Sequence, residues 1–184
     1  MGGYLSAGPG ATSYDGYWTM RLDLLADPIR EPAWREALRA LFVRLADELP
    51  AFYASAELIT GYVWSGRTLW ADGDTEQRIS PMHYRDGWLG LPPRPTWWTW
   101  LGEPFAAYFP HLPAERTTAT ERGLLYSAAD EPSGPADLVP LSTWLPGELF
   151  ADFAGGAHGL RSAPLVRAPS IPVELRGRRR RWMP

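Results

Sequence analysis

The chain has 184 residues, long enough for one hydrophobic core, and its 45% hydrophobic and 21% charged residues are typical of a globular protein. It contains no cysteine, which excludes disulfides and thiolate metal ligands. No run reaches the roughly 18 to 20 apolar residues that a membrane-spanning helix needs. Because the N-terminal residues lack a basic segment followed by an apolar one, we expect no secretory signal and a cytoplasmic protein.

Charge is distributed unevenly along the chain. The net charge is −3, and all eighteen basic residues are arginine. Five of these arginines lie in residues 176–184, so residues 1–175 hold 13 arginines against 21 acidic residues. An acidic body repels nucleic acid and favours a basic partner. Nucleic-acid binding is therefore expected only through the arginine run of the tail, which comprises Arg178, Arg179, Arg180 and Arg181.

Composition divides the chain into a flexible, Gly-rich arm at 1–16, a single α+β domain at 17–175 and an Arg-rich tail at 176–184. Apolar residues alternate from Trp18 to Leu24, which predicts a half-buried strand. An amphipathic helix is predicted to begin near Pro32 and to end before Pro50. Its apolar residues recur at spacings of three and four: Trp34, Leu38, Leu41, Phe42, Leu45 and Leu49.

The later elements are shorter and are separated by many Pro and Gly residues. Residues 57–64 and 121–130 read as strands, and 171–175 as a last strand. Short helices are predicted to begin at Pro104 and near Pro146. The order of these elements predicts an α+β fold, in which an antiparallel sheet has helices packed on one face.

The sequence shows no recognisable catalytic or metal-binding constellation. His83, His111 and His158 are widely spaced, without acidic neighbours at metal-ligand spacing. Asp72, Asp74 and Glu76 alternate as in a calcium loop, but the glycine and glutamate that such a loop needs further on are missing. We interpret this segment as an Asp-Gly hairpin turn with exposed acids. No catalytic residue, metal or cofactor is assigned, and an enzyme is the less favoured reading.

The segment PTWWTW (95–100) places three tryptophans in four positions. On a strand, Thr96, Trp98 and Trp100 would share one face. Most of these rings are expected in the core. Ten tryptophans exceed what a domain of this size normally packs, however, so some rings are expected to lie at the surface, where tryptophan favours protein–protein contact.

With the residues that follow it, this segment resembles immunity proteins of bacterial polymorphic-toxin and type VI secretion systems. Many of these have an aromatic-Trp-Leu-Gly pattern followed by a short helix. The resemblance covers about residues 17 to 155, and GLLYSAADEP and PLSTWLPGELF match the family's second half. The residues that match the central pattern are Trp97, Trp98, Thr99, Trp100, Leu101, Gly102 and Pro104.

The resemblance implies a protein that binds a cognate toxin and blocks it. Acids and aromatic rings are then expected to contact the toxin, and a homo-oligomer is compatible with this reading. The candidate partner-binding residues are Asp72, Asp74, Glu76, Trp88, Trp98 and Trp100.

The alternative is a small-molecule biosynthetic enzyme or accessory protein with an aromatic-lined ligand pocket. The rings proposed for that pocket belong to Trp64, Trp70, Trp98 and Trp100.

Overall fold

The structure, a computed structural model, describes residues 3–9, 18–65, 68–72, 83–84, 87–88, 90–153 and 165–167. The chain forms two compact units. The first comprises the described residues within Met1–Tyr4, Asp23–Arg78 and Arg94–Leu145, and the second those within Leu5–Leu22, Ile79–Pro93 and Pro146–Pro184.

The described residues form one α-helix, twelve strands and six short 3₁₀ helices. The α-helix, α1, spans Pro32–Glu48. The strands are β1 (Gly3–Pro9), β2 (Trp18–Leu24), β3 (Tyr53–Ala56), β4 (Tyr62–Ser65), β5 (Thr68–Ala71), β6 (His83–Tyr84), β7 (Gly87–Trp88), β8 (Trp98–Gly102), β9 (Thr117–Ala119), β10 (Gly123–Ser127), β11 (Asp152–Phe153) and β12 (Leu165–Arg167). The 3₁₀ helices span Asp27–Arg30, Glu103–His111, Ala114–Arg116, Pro135–Asp137, Leu141–Thr143 and Gly147–Leu149.

Helix α1 follows the prediction closely. Pro32 occupies its first turn, where a missing N–H costs no hydrogen bond, and Glu31 before it is extended (φ −75°, ψ 122°). At the other end, the N–H of Leu49 donates to the carbonyl of Leu45 at 3.0 Å. Pro50 follows and cannot continue the helix. The amphipathic pattern therefore identified this element and both of its ends.

The main sheet is antiparallel and has the order β3-β8-β10-β9. In its register, Trp100 of β8 lies between Ala54 of β3 and Leu125 of β10. These residues belong to one core cluster with Ala46 and Phe42 of α1, so the helix packs on this face of the sheet. The predicted α+β fold with an antiparallel sheet is confirmed.

Strand β8 is buried at every one of its five positions. The face opposite α1 carries Thr99 and Leu101, which pair with Tyr126 and Leu124 of β10, and all four are buried. The Tyr126 hydroxyl accepts a hydrogen bond from the indole N–H of Trp144 at 3.1 Å. A strand that is covered on both faces does not need polar side chains to alternate with apolar ones. This explains why the sequence of β8 is a continuous run of residues suited to burial.

Three strands differ from the prediction. The strand expected over 57–64 begins only at Tyr62, because Gly61 has a φ of 78° that extended backbone does not adopt. Strand β3 was not predicted. The hairpin of β4 and β5 pairs Ser65 with Thr68. The predicted Asp-Gly turn stays a prediction, because it lies outside the described residues from position 73 onward. Strand β2 is present as predicted, but Met20, Leu22 and Leu24 are exposed where a half-buried strand was expected.

In the second unit, the described residues centre on Leu91. Its N–H donates to Leu149 and its carbonyl accepts from Ala151, both at 2.8 Å, and Leu91, Leu149 and Phe150 are buried. The helix predicted near Pro146 is the 3₁₀ helix Gly147–Leu149. Of the predicted arm, Gly3–Pro9 forms a strand that pairs with β2, while residues 171–175 and the Arg-rich tail lie outside the described residues. The single-domain boundaries stay a prediction.

Candidate protein-binding surface

The three tryptophans of the central segment lie in the core. Trp97, Trp98 and Trp100 are 1%, 2% and 0% exposed, and the rings of Trp97 and Trp98 stack with centroids 4.0 Å apart. The indole N–H of Trp97 donates to the carbonyl of Ala129 at 3.0 Å, and that of Trp100 to the carbonyl of Ala51 at 2.9 Å. These two N–H groups are therefore satisfied within the chain, as a buried indole requires.

This position corrects the expectation that Trp98 and Trp100 contact a partner. Each ring faces α1 from the middle of the sheet, where Phe42 packs on Trp98 at 5.9 Å between centroids. A partner would reach neither ring without displacing the helix. The sequence pattern therefore marks the core of the first unit and not its recognition surface.

The predicted acidic turn is described only at its start. Asp72 is exposed, and its N–H donates to the carbonyl of Gly61 at 2.8 Å, which extends the pairing of β4 with β5. Asp74 and Glu76 lie outside the described residues. Trp88 is placed by its backbone alone, opposite His83 in the pair of β6 and β7.

The β4–β5 hairpin presents an exposed cross-strand pair beside Asp72. Val63 lies directly opposite Trp70, so both side chains project from the same face of the hairpin. Trp70 is 58% exposed and Val63 is also exposed, as are Ser65 and Thr68 on that face. An exposed tryptophan next to a carboxylate is the combination that the sequence led us to expect of a recognition surface.

Helix α1 carries a second exposed apolar surface, which we call the outer face of α1 and define by Trp34, Ala37 and Leu41. Trp34 is 51% exposed and Leu41 42% exposed. They are seven residues apart, so they lie on one side of the helix, with exposed Ala37 between them. The sequence pattern assigned Trp34 and Leu41 to the buried face. The sheet instead covers Leu38, Phe42 and Ala46, and the outer face is left to solvent.

Polar contacts to neighbouring segments fix the rotation of α1 about its axis. Arg35 forms a two-pronged ion pair with Glu131, in which Nη2 donates to Oε1 at 2.9 Å. Arg39 donates to the Thr118 hydroxyl at 2.7 Å.

Near the C-terminal end of the helix, one carboxylate oxygen of Asp47 accepts from the Thr120 hydroxyl at 2.7 Å and from the N–H of Arg122 at 3.2 Å. Together with Arg35 and Arg39, Asp47 ties the helix at three points along its length. Trp34 and Leu41 therefore cannot turn inward without breaking these contacts.

The first unit carries a strong excess of negative charge. Its described part within 23–72 and 94–145 holds fourteen acidic residues and seven arginines. Glu31 and Glu36, on either side of Trp34 in sequence, are exposed. Across the described ranges, no three His, Cys, Asp or Glu side chains come together as a metal site would need, and no helix is long and apolar enough to cross a membrane.

The rings proposed for a ligand pocket are not brought together in the part of the chain that is described. Trp98 and Trp100 are buried among core side chains, Trp70 is exposed on the hairpin, and Trp64 is placed by its backbone alone. No protein-family model, curated protein or solved structure matches the chain. Function is therefore inferred from the surface of the molecule.

Proposed function

We propose that the protein is an immunity protein, which binds a bacterial toxin and blocks it by protein–protein contact. The observation that carries the proposal is the presence of exposed tryptophans, Trp34 and Trp70, on a unit whose described part holds twice as many acidic residues as arginines. Large aromatic side chains anchor protein interfaces, whereas a soluble unit gains nothing by leaving them in water. The resemblance of residues 95–109 to immunity proteins agrees with this function.

The negative charge specifies the kind of toxin. An acidic inhibitor attracts a basic partner over a distance and speeds their association, an effect that weakens as salt rises. Toxins that cleave nucleic acid are themselves basic around the active site, since they bind phosphates. We therefore propose a basic toxin domain as the partner and the bacterial cytoplasm as the place where the two meet.

The test begins with the gene immediately upstream. The C-terminal domain of its product is co-expressed with this protein, purified as a complex and assayed for toxicity in cells with and without the protein. We expect a stable complex and restored growth. An unrelated acidic protein of similar size and net charge serves as the control and should give neither. The proposal would be contradicted if the toxin domain did not bind this protein and if cells that contain this protein were not protected from the toxin.

A further inference from the structure

We infer that the outer face of α1 is the surface that holds the toxin, and that it takes a surface with an apolar centre and a basic rim. This inference rests on the proposed function and adds the place and chemistry of the contact. Trp34 and Leu41 are about 10 Å apart along the helix axis, two turns of an α-helix. This spacing suits the small central cluster of anchors that dominates the energy of most interfaces.

Rigidity distinguishes α1 from the β4–β5 hairpin as the anchor. The helix is tied to the rest of its unit through Arg35, Arg39 and Asp47. Among the described residues, β4 and β5 form a sheet only with each other. An isolated pair of strands is only marginally stable, and ordering it on binding costs affinity. The tethered helix presents its side chains without that cost.

Charge around the outer face selects the occupant. The described part of this unit holds fourteen acidic residues against seven arginines, exposed Glu31 precedes the Trp34 end, and exposed Glu48 lies seven residues beyond Leu41 on the same side of the helix. Glu48 accepts a hydrogen bond from Arg44 at 2.8 Å in a pair that is exposed on both sides, so an arginine of a partner can replace Arg44. A second copy of this chain would bring two acidic units together, which costs free energy, whereas association with a basic partner is electrostatically favourable.

The test measures binding kinetics of the purified toxin domain with two single variants, Trp34→Ala and Leu41→Ala. Val139→Ala is the matched control, because Val139 is an exposed apolar residue outside α1. We expect Trp34→Ala to raise the Kd at least about 30-fold, mainly through faster dissociation, and Leu41→Ala to raise it less. Val139→Ala should change the Kd less than twofold.

The outcomes separate this inference from the proposed function. If the wild type binds the toxin domain and Trp34→Ala changes the Kd less than threefold, the inference is overturned and the proposed function stands. If the wild type does not bind, both are contradicted. If Trp34→Ala lowers the Tm, hydroxyl-radical footprinting of the wild type replaces it: protection of Trp34 and Leu41 in the complex supports the inference, and unchanged reactivity overturns it. A dimer of the free protein that Trp34→Ala dissociates would assign the face to a second copy and also overturn it.

Discussion

Gly123 lies against the indole ring of Trp100, so close that a Cβ on Gly123 would be 2.5 Å from the ring atom Cζ2 and 2.6 Å from the Leu101 carbonyl oxygen. The ring has no room to withdraw, because Trp100 is fully buried and its N–H is bonded to Ala51. The absence of a side chain at position 123 thus allows β10 and β8 to pair around the largest side chain of the core.

Replacement of Gly123 tests this relationship. Gly123→Ala is expected to lower the free energy of unfolding by about 1 to 3 kcal/mol, the usual cost of overpacking a core. Gly134→Ala is the control: a Cβ there meets nothing within 4 Å, and the φ of −75° suits any residue, so stability should stay equal or rise by up to about 1 kcal/mol. Urea denaturation measures both. Equal effects of the two substitutions would refute the close packing at Gly123.

The Trp100 indole is predicted to matter more than the Trp144 indole, although both N–H groups are bonded. Trp100→Phe leaves a cavity in the core and removes the donor to the Ala51 carbonyl, so we expect a loss of about 2 to 4 kcal/mol. Trp144 is partly exposed and bonds the Tyr126 hydroxyl, and Trp144→Phe should cost at least about 1 kcal/mol less. Chemical denaturation compares them, and a larger loss for Trp144→Phe would contradict the placement of the core.

Tyr53 is expected to make the protein less stable in alkali. Burial away from water raises the pKa of the Tyr53 hydroxyl well above its ordinary value, against an opposing hydrogen bond with Ser55. Above pH 10 the unfolded chain loses this proton while the folded chain keeps it, so the free energy of unfolding falls as pH rises. The loss should reach about 1 kcal/mol at pH 10.5.

Tyr53→Phe removes the titrating group and serves as the comparison for Tyr53. Urea denaturation of both proteins at pH 8 and pH 10.5 should show a smaller decrease with pH for the variant. The same decrease in the two proteins would mean that Tyr53 ionises as readily in the folded state as in the unfolded one.

The ion pair of Arg35 and Glu131 is predicted to orient α1 more than to stabilise the fold. The Glu131 carboxylate is largely exposed, and exposed ion pairs contribute at most about 1 kcal/mol. Glu131→Gln should therefore lower the free energy of unfolding by less than about 1 kcal/mol, with a smaller difference from the wild type at 1 M salt. A larger, salt-independent loss in denaturation would show that this pair is a main support of the fold.

The acidic residues that follow β5 in the sequence are predicted to attract a basic toxin and thereby speed its association. Alanine at Asp72, Asp74 and Glu76 together should slow association at low salt and leave dissociation nearly unchanged. A triple variant at Glu115, Glu121 and Asp137, three exposed residues, removes the same charge elsewhere in the first unit. Stopped-flow association rates compare the two. Equal slowing would assign the effect to net charge, and no slowing would remove the acidic turn from the interface.

The sequence predicted the elements whose pattern is periodic and long. Helix α1 spans seventeen residues with apolar spacings of three and four, and β10 lies within the expected segment. Strand β3 has only four residues, Tyr53–Ala56, too few to establish a period of two. Residues 57–61 have the composition of a strand. The positive φ of Gly61 interrupts the expected strand, and it depends on where the chain turns in the fold, which composition does not reveal.

The candidate surface was harder to predict than the fold. The number of tryptophans in the sequence does not reveal which indole N–H groups are hydrogen-bonded inside the fold. In the structure, the indole N–H groups of Trp97 and Trp100 donate to backbone carbonyls of the same chain. The apolar residues of α1 occupy a wider arc of the helix surface than the sheet covers. Only the contacts of Leu38, Phe42 and Ala46 show that Trp34 lies outside the covered part.

The separation between β8 and the outer face of α1 has a consequence for diversification. Both faces of the sheet are covered along Trp98–Gly102, and all five residues are buried. A new side chain at any of these positions therefore disturbs the fold itself. Positions 34, 37 and 41 have solvent beside them and make none of the three tethering contacts. A library randomised at these three positions should keep a high fraction of folded members, and selection from it can retarget the helix to new ligands while the scaffold stays intact.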